Sequence, residues 1–257
     1  MNKLWLLPNR WQVLGISLAL GCLFIGGMTL LLGKGPAASH GGIILLDSAT
    51  TTFPYPFTIQ NLMHLFFFIG LGELYARWRT AEREHAFLNQ SYLPEDDETV
   101  LQSHDLGAIR RRVAGQHDAE HGFLPSLIDL SILQFQASRS VDQVVSVLNS
   151  SLELIAHRVD LRYAMTRYVV WVIPTIGFIG TVLGIAFAME NINPQQPDLK
   201  QLTASLGMAF YTTLVALVQS AVLVFILNVV QAREERSVSD AGHYTLKNMI
   251  NRLYTGS

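Results

Sequence analysis

The sequence predicts an all-α, polytopic membrane protein: four transmembrane helices, with long helices extending from them into the cytoplasm. Three observations predict it. Uncharged apolar runs recur along the chain, the basic residues fall on one side of those runs, and the segment between them is patterned as helices separated by breaks.

The runs come first. The chain has 257 residues, half of them hydrophobic and 15% charged. Strong apolar stretches occupy about 12–32, 168–189 and 202–230, and a weaker one lies at about 57–76, interrupted by Gln60, Asn61 and His64. About 20 apolar residues cross the ~30 Å hydrocarbon layer, so each stretch has the length of a span. The first two form an N-terminal hairpin within 1–76 and the last two a second hairpin within 168–230. Residues 77–167 make a helical cytoplasmic region, and 231–257 a cytoplasmic tail.

Basic residues set the orientation. Of the 18 lysines and arginines, all but Lys34 and Lys200 lie before the first run, between the second and third, or after the fourth. Four spans put those three segments on one side, the cytoplasm. Three spans would split them, so the charge pattern supports the weakest hydropathy signal. Both termini are then cytoplasmic. PAAS at Pro36–Ser39 has the small residues of a cleavage region. The preceding apolar run of ~20 residues exceeds the roughly 7–15 of a signal core, so the first span is expected to remain. The single cysteine, Cys22, excludes an intrachain disulfide and a cysteine metal cluster. The net charge is −2 and the one basic cluster, Arg110–Arg112, lacks interleaved aromatics, so nucleic acid is not an expected partner.

In the cytoplasmic region ELYARWRTAEREHAFL continues the second span as helix, SYLPEDDET breaks it at Pro94, and ETVLQSHDLGAIRRRVAG is a short second helix. Glu73 and Arg77, four apart, share a helix face. From Ser126 onward the pattern predicts one helix running into the third span as far as Met189. Val141, Val144, Leu148, Leu152, Ile155 and Val159 form its apolar stripe, which the chain's own short helices or neighbouring copies must cover. His117 and His121 have metal-compatible spacing but not the metalloprotease order, and a solvated segment is the expected reading. No nucleophile motif, phosphate-binding glycine loop or dinucleotide fingerprint occurs, so no enzymatic chemistry is expected.

The last two runs carry the informative pattern. In WVIPTIGFIGTVLGIAFAM, Pro174, Gly177, Thr181, Gly184 and Ala188 fall on one helix face, small from end to end. In SLGMAFYTTLVALVQSAVLVF, Ser205, Ala209, Thr212 with Thr213, Ala216 and Ser220 share another. Helix-interior glycine costs about 1 kcal/mol against alanine and proline about 3. Pro174 also frees the carbonyl of Val170. Interhelical hydrogen bonds in membranes average only ~0.6 kcal/mol, so close backbone packing must offset the loss. Such stripes serve either as helix glue or as the lining of a watery path; hydroxyls on two consecutive spans favour the path. Neither span holds Asp, Glu, Lys, Arg or His, and threonine does not titrate near neutral pH. A titrating group for any ion route must come from a partner helix.

Two motifs, PTIGFIGTVLG at Pro174–Gly184 and FYTTLVA at Phe210–Ala216, resemble the MotA/TolQ/ExbB proton-channel family over about Arg139–Gln231, and the four-span layout is similar to its MotA branch. Ala216 stands where many members have glycine, and Met208 where the ExbB/TolQ type has an acid. The resemblance implies a homopentameric ring in the bacterial inner membrane around a dimer of a MotB-, TolR- or ExbD-like single-span protein whose membrane Asp carries the ion. The chain would then be an ion-transport subunit, or stator, of a motor protein. Thr181, Thr212 and Thr213 would lie on the ion pathway, while Pro174, Gly177, Gly184, Ser205, Ala209, Ala216 and Ser220 pack the pore helices. No cofactor is implied. The transported ion is expected to be H⁺, and a Thr–Thr pair also suits Na⁺. A cytoplasmic partner on 77–167 is a further expectation, and the alternative to a motor is a membrane scaffold docking such partners without ion flux.

Overall fold

A computed structural model describes residues 10–34, 39–48, 53–96, 98–118, 121–190 and 199–254. Lys3, Pro36–Ala38 of the cleavage-like stretch, Asp97 and Glu120 lie outside them. Every regular element is helical: α1 Arg10–Leu32, α2 His40–Leu46, α3 Ile59–Leu88, α4 Leu106–Val113, α5 Phe123–Ser138, α6 Val141–Arg162, α7 Ala164–Glu190 and α8 Leu199–Asn248, with a 3₁₀ turn at Ile250–Arg252. Among the described residues the one β-type pairing is an isolated bridge between Leu101 and Leu253. Among the described residues three stretches of helix are long and apolar enough to cross a membrane: Trp11–Leu32, Val141–Glu190 and Ser205–Arg252. α3 has the length, with 30 residues. Its polar start and the charges from Glu73 onward dilute its hydropathy.

The chain divides into two compact units. One comprises 8–76 and 164–228, and so holds the apolar stretches. Within it α1 and α3 meet at very short range: a Cβ on Gly72 would overlap Ser17 Oγ, and one on Gly21 would lie 3.1 Å from Leu65. Ser17 is itself satisfied by the Val13 carbonyl at 2.7 Å. Further along α3, Gly70 faces Leu223 of α8 and Val169 of α7, where a Cβ would meet side-chain atoms at 3.1 and 3.3 Å. The loop between α1 and α3 contains α2. Ser39 caps it by accepting the Gly42 N–H at 3.3 Å. Thr58 then ties the loop's end back by donating to the Leu46 carbonyl at 2.9 Å. Large apolar side chains point outward from these helices, among them Trp11, Leu30, Phe178 and Phe225. That is the arrangement of a surface meant for lipid or for further protein, not for water.

The other unit comprises 77–163 and 229 onward. Here the helix expected from Ser126 to Met189 is three helices. α5 stops because Arg139 turns left-handed, with φ 53°. α6 then starts at a Ser140 cap, whose Oγ accepts the Gln143 N–H at 3.4 Å. Ser-x-x-Gln is a capping-box sequence, and it outweighs an apolar stripe that would otherwise continue. The second break falls at Tyr163, between α6 and α7. Its side chain is fully buried, and its hydroxyl donates to Glu234 at 2.7 Å. The stripe of α6 is covered from within: Val144, Leu148 and Val159 are buried. α5 packs along α6, and a Cβ on Gly242 of α8 would sit 2.7 Å from Leu152.

Two buried carboxylates organise this unit. Glu84 on α3 is 3% exposed, and its two oxygens accept the Gly122 and Phe123 N–H groups at 2.8 Å each. These are orphan donors at the start of α5, so a side chain from α3 supplies the cap that Gly122 cannot. Burial pushes the Glu84 carboxyl above its ordinary range, against the pull of those two N–H groups. Glu234 on α8 is wholly buried and accepts from Arg162 Nη1 at 2.8 Å as well as from Tyr163. Arg233 pairs with Glu82 at 2.6 Å and lies over the Trp78 ring at 4.5 Å. The C-terminal end is held by Arg252, which donates to the Pro94 carbonyl at 2.9 Å.

Candidate functional site

The small faces of α7 and α8 meet each other. Pro174, Gly177, Gly180 and Gly184 lie on α7. A Cβ on Gly177 would lie 2.4 Å from Ala216 Cβ, one on Gly180 2.9 Å from Thr212 Oγ1, and one on Gly184 2.6 Å from Ala209 Cβ. Partner numbers on α8 fall as those on α7 rise, so the helices run antiparallel with i, i+3, i+7 steps on both. Only glycine permits this register: the same virtual Cβ atoms come within 3.1 Å of α8 backbone atoms, the Thr212 carbonyl and Ala209 Cα. Ala209 and Ala216 are buried at 3% and 0% exposure. Ser205, one turn before Ala209, is half-buried.

At the middle of this contact sit the three threonines. Thr212 Oγ1 lies 3.0 Å from the Gly177 carbonyl and 2.7 Å from that of Ala209. Thr213 Oγ1 donates to the Gly177 carbonyl across the helix pair at 3.1 Å. In the reverse sense Thr181 Oγ1 reaches the Ala209 carbonyl at 3.0 Å. Thr181 also contacts Thr213 at 2.5 Å and Thr212 at 3.3 Å, hydroxyl to hydroxyl. Five oxygens, three hydroxyl and two carbonyl, are thus gathered in one cluster that bridges α7 and α8. Thr212 is buried, whereas Thr181 and Thr213 are half-buried. The cluster holds no ionisable group. It can orient water or offer oxygen lone pairs to a cation, and it cannot take up a proton.

One turn further the proline defect is repaired. Pro174 has no N–H, so the Val170 carbonyl lacks its helical donor. Ser220 Oγ of α8 donates to that carbonyl at 3.0 Å. The structure therefore brings Thr181, Thr212, Thr213, Gly177, Gly184, Ala209 and Ala216 into one contact and joins Pro174 and Ser220 to it through Val170.

α3 also reaches this region, a contribution that reading the last two spans alone misses. Ile59 Cγ2 would lie 3.1 Å from a Cβ on Gly180. His64 Nδ1 is 2.6 Å from Gln219 Nε2 of α8. The signal was present in the sequence: Gln60 and His64 are four apart, so the residues that interrupt the run share one helix face. The paired histidines of the other unit do not converge. His121 Nδ1 contacts Asp118 at 3.2 Å, whereas His117 Nε2 lies 3.9 Å from Asp129. Among the described residues no group of three or more His, Cys, Asp or Glu is placed to hold a metal.

Residues 118–242 match the MotA/TolQ/ExbB proton channel family, a region that takes in both α7 and the apolar part of α8. No curated protein and no solved structure matches the chain.

Proposed function

We propose, from the chain's membership over residues 118–242 in the MotA/TolQ/ExbB proton channel family, that it is the ion-conducting subunit of a rotary motor driven by the proton-motive force. Copies of the chain, five on the family pattern, surround a dimer of a single-span partner that supplies an ion-carrying Asp. Ion flow through that Asp does mechanical work at the cell envelope of a bacterium. The observation that carries this reading is the oxygen cluster of Thr181, Thr212 and Thr213 on the Gly177 and Ala209 carbonyls. It lies in mid-membrane sequence, is polar, is only partly buried and lacks a titrating group of its own. The partner's carboxylate is the complement it needs. The ion is H⁺, with Na⁺ the competing candidate for an all-oxygen cluster.

Four spans support the same topology. α1, α7 and α8 supply three. Counting the first part of α3 as a fourth puts all basic segments on the cytoplasmic side and leaves only Lys34 and Lys200 outside. Both termini are then cytoplasmic, the membrane is the bacterial inner membrane, and the 77–167 region is free to meet a cytoplasmic partner.

Thr213→Val tests the reading. It keeps the shape and removes the Oγ1 contact to the Gly177 carbonyl. The contacts to Gly177 and Thr181 that it loses are worth only ~0.6 kcal/mol each, so assembly should survive. With the single-span partner co-expressed and protein levels matched, ion-driven activity is expected to fall at least about tenfold, and Thr213→Ser is expected to restore it. Undiminished activity in the valine variant sinks the assignment. A second reading, a scaffold without ion flux, draws on the intrachain pairing of the small faces. It predicts stable association without any partner helix and no flux in liposomes at any gradient.

A further inference from the structure

The apolar parts of α7 and α8 contain no Asp, Glu, Lys, Arg or His. Nonetheless a titratable side chain of this same chain is hydrogen-bonded to α8. His64 is 4% exposed. Its Nε2 lies 2.9 Å from the Leu45 carbonyl of the loop helix α2. A carbonyl only accepts, so Nε2 carries the hydrogen. Nδ1 is then the acceptor, facing the Gln219 amide nitrogen at 2.6 Å. The two neighbours together fix the neutral tautomer. From α1 the Phe24 ring packs edge-on at 5.1 Å. The Leu45 carbonyl, the Gln219 amide and the Phe24 ring pack against the imidazole.

Buried amide groups on α3 and α8 are under-used. Gln60, one turn before His64 on the same face of α3, is 0% exposed, and neither its Oε1 nor its Nε2 has a partner. Gln219 is 7% exposed, and its Oε1 is likewise unpaired. A buried amide without partners is costly, and proteins answer that cost with internal water, which makes two to four bonds to such groups. Spare acceptors beside a neutral imidazole also have a chemical use. An imidazolium donates from both nitrogens and needs two acceptors. The Leu45 carbonyl is one. Gln219 Oε1 becomes the other when the amide turns over, since oxygen and nitrogen occupy nearly the same volume.

We infer that His64, Gln219 and Gln60 form a proton-binding site with its own internal water, within the chain and distinct from the threonine cluster. The exchange balances simply. As the Gln219 amide turns its Nε2 away, a hydronium in the site gives its proton to the freed Nδ1 lone pair and remains as water. The Gln219 amide rotates so that Oε1 accepts the new Nδ1–H, and Nε2–H keeps the Leu45 carbonyl. The inference is independent of the motor reading, because it needs neither a partner nor ion flow.

The test is nitrogen NMR on the full chain with labelled histidine, in lipid nanodiscs, the His64 signals being assigned by their loss in His64→Gln. At neutral pH the expected spectrum has Nε2 protonated and Nδ1 free, with magnetisation transfer from water to the ring despite its burial. On acidification Nδ1 gains its proton while the fold persists. Gln219→Leu removes the second acceptor and is expected to weaken proton binding about tenfold, because a bond to a charged donor outweighs one to a neutral ring. Gln219→Glu, which keeps the shape and adds a carboxylate, is expected to strengthen it at least about tenfold and serves if the leucine variant does not fold. Three results overturn the inference: a ring with no transfer from water, an Nδ1 that stays bare to the acid limit of the fold in both wild type and Gln219→Glu, or titrations that do not move apart in the two variants.

Discussion

Replacing Gly177 by alanine puts a methyl carbon 2.4 Å from Ala216 Cβ. Unstrained carbon contacts lie at about 3.5–4.0 Å, so α7 and α8 must separate by about 1.1–1.6 Å or shear past each other. Either movement costs the hydrogen bonds that start at 3.0 and 3.1 Å between the Gly177 carbonyl and Thr212 and Thr213. They would pass the distance at which such bonds count. Overpacking costs about 1–3 kcal/mol and two interhelical bonds about 0.6 each, while the alanine returns about 1 kcal/mol of helix propensity. The net expectation is a destabilisation of about 1–3 kcal/mol from these terms. Thermal unfolding in a mild detergent reads it. Gly207→Ala is the internal control, since a Cβ there meets nothing within 4 Å. It receives the same propensity gain without the clash and should be neutral or slightly stabilising. Ala216→Gly in the Gly177→Ala background removes the clashing atom and should recover most of the loss, a positive coupling in a double-mutant cycle. If Gly177→Ala unfolds like wild type, or Ala216→Gly does nothing for it, the two small faces are not in contact and the geometry of the site is wrong.

Ser220→Ala should cost about 1 kcal/mol by leaving the Val170 carbonyl unpaired, and almost nothing in a Pro174→Ala background, where residue 174 supplies the missing N–H; unfolding of the four-variant cycle reads the difference. Glu234→Gln weakens a buried carboxylate held by Arg162 and Tyr163, and a loss of about 3–5 kcal/mol is expected in the same assay. Glu84→Gln tests the buried cap of α5. The folded carboxyl sits above its unfolded value of 4.5, so its contribution is complete below that value and is lost as pH rises through the folded value. The amide variant has no such dependence. The stability gap between wild type and Glu84→Gln should therefore shrink as pH is raised from acid toward neutral, and a gap that widens refutes the reading.

The helices of the membrane segments were legible because their cause is local: an uncharged run of ~20 residues has few other uses. So was the small face of α7, since glycine and proline in a helix interior cost enough to demand a reason, and close approach of α8 at Gly177 and Gly184 is that reason. What the faces contact was less legible. Periodicity tells which residues share a side, and it cannot tell whether that side meets a neighbour in the same chain or another molecule. Here it meets α8 first. The break at Arg139 was hidden for a different reason. The helical pattern from Ser126 runs through it, yet Ser140 and Gln143 form a cap, and local capping chemistry decided the matter. Glu84 lies furthest from sequence reach. Its partners Gly122 and Phe123 are almost forty residues away, joined only by folding.

The threonine cluster also constrains what can approach it. Three hydroxyls bring three protons, and the Gly177 and Ala209 carbonyls stand ready to accept them. With those protons spent inside the cluster, what it offers an arriving group is oxygen lone pairs and no donors. A bare carboxylate arriving there would face lone pairs with its own and gain nothing. A protonated carboxyl, by contrast, donates to a hydroxyl oxygen, and a sodium or hydronium ion is bound by several at once. On the proposed reading, then, a partner Asp is held at this position only while it carries its ion, and it is released on losing it. That is the asymmetry a motor step requires. It predicts that an Asp→Asn partner, which keeps an N–H donor and never ionises, should dock on the wild-type ring and stall there. The complex should be at least as long-lived as with Asp at neutral pH, measured by dissociation in detergent. Faster dissociation of the Asn partner would show that the cluster prefers the ionised acid, contrary to its donor count.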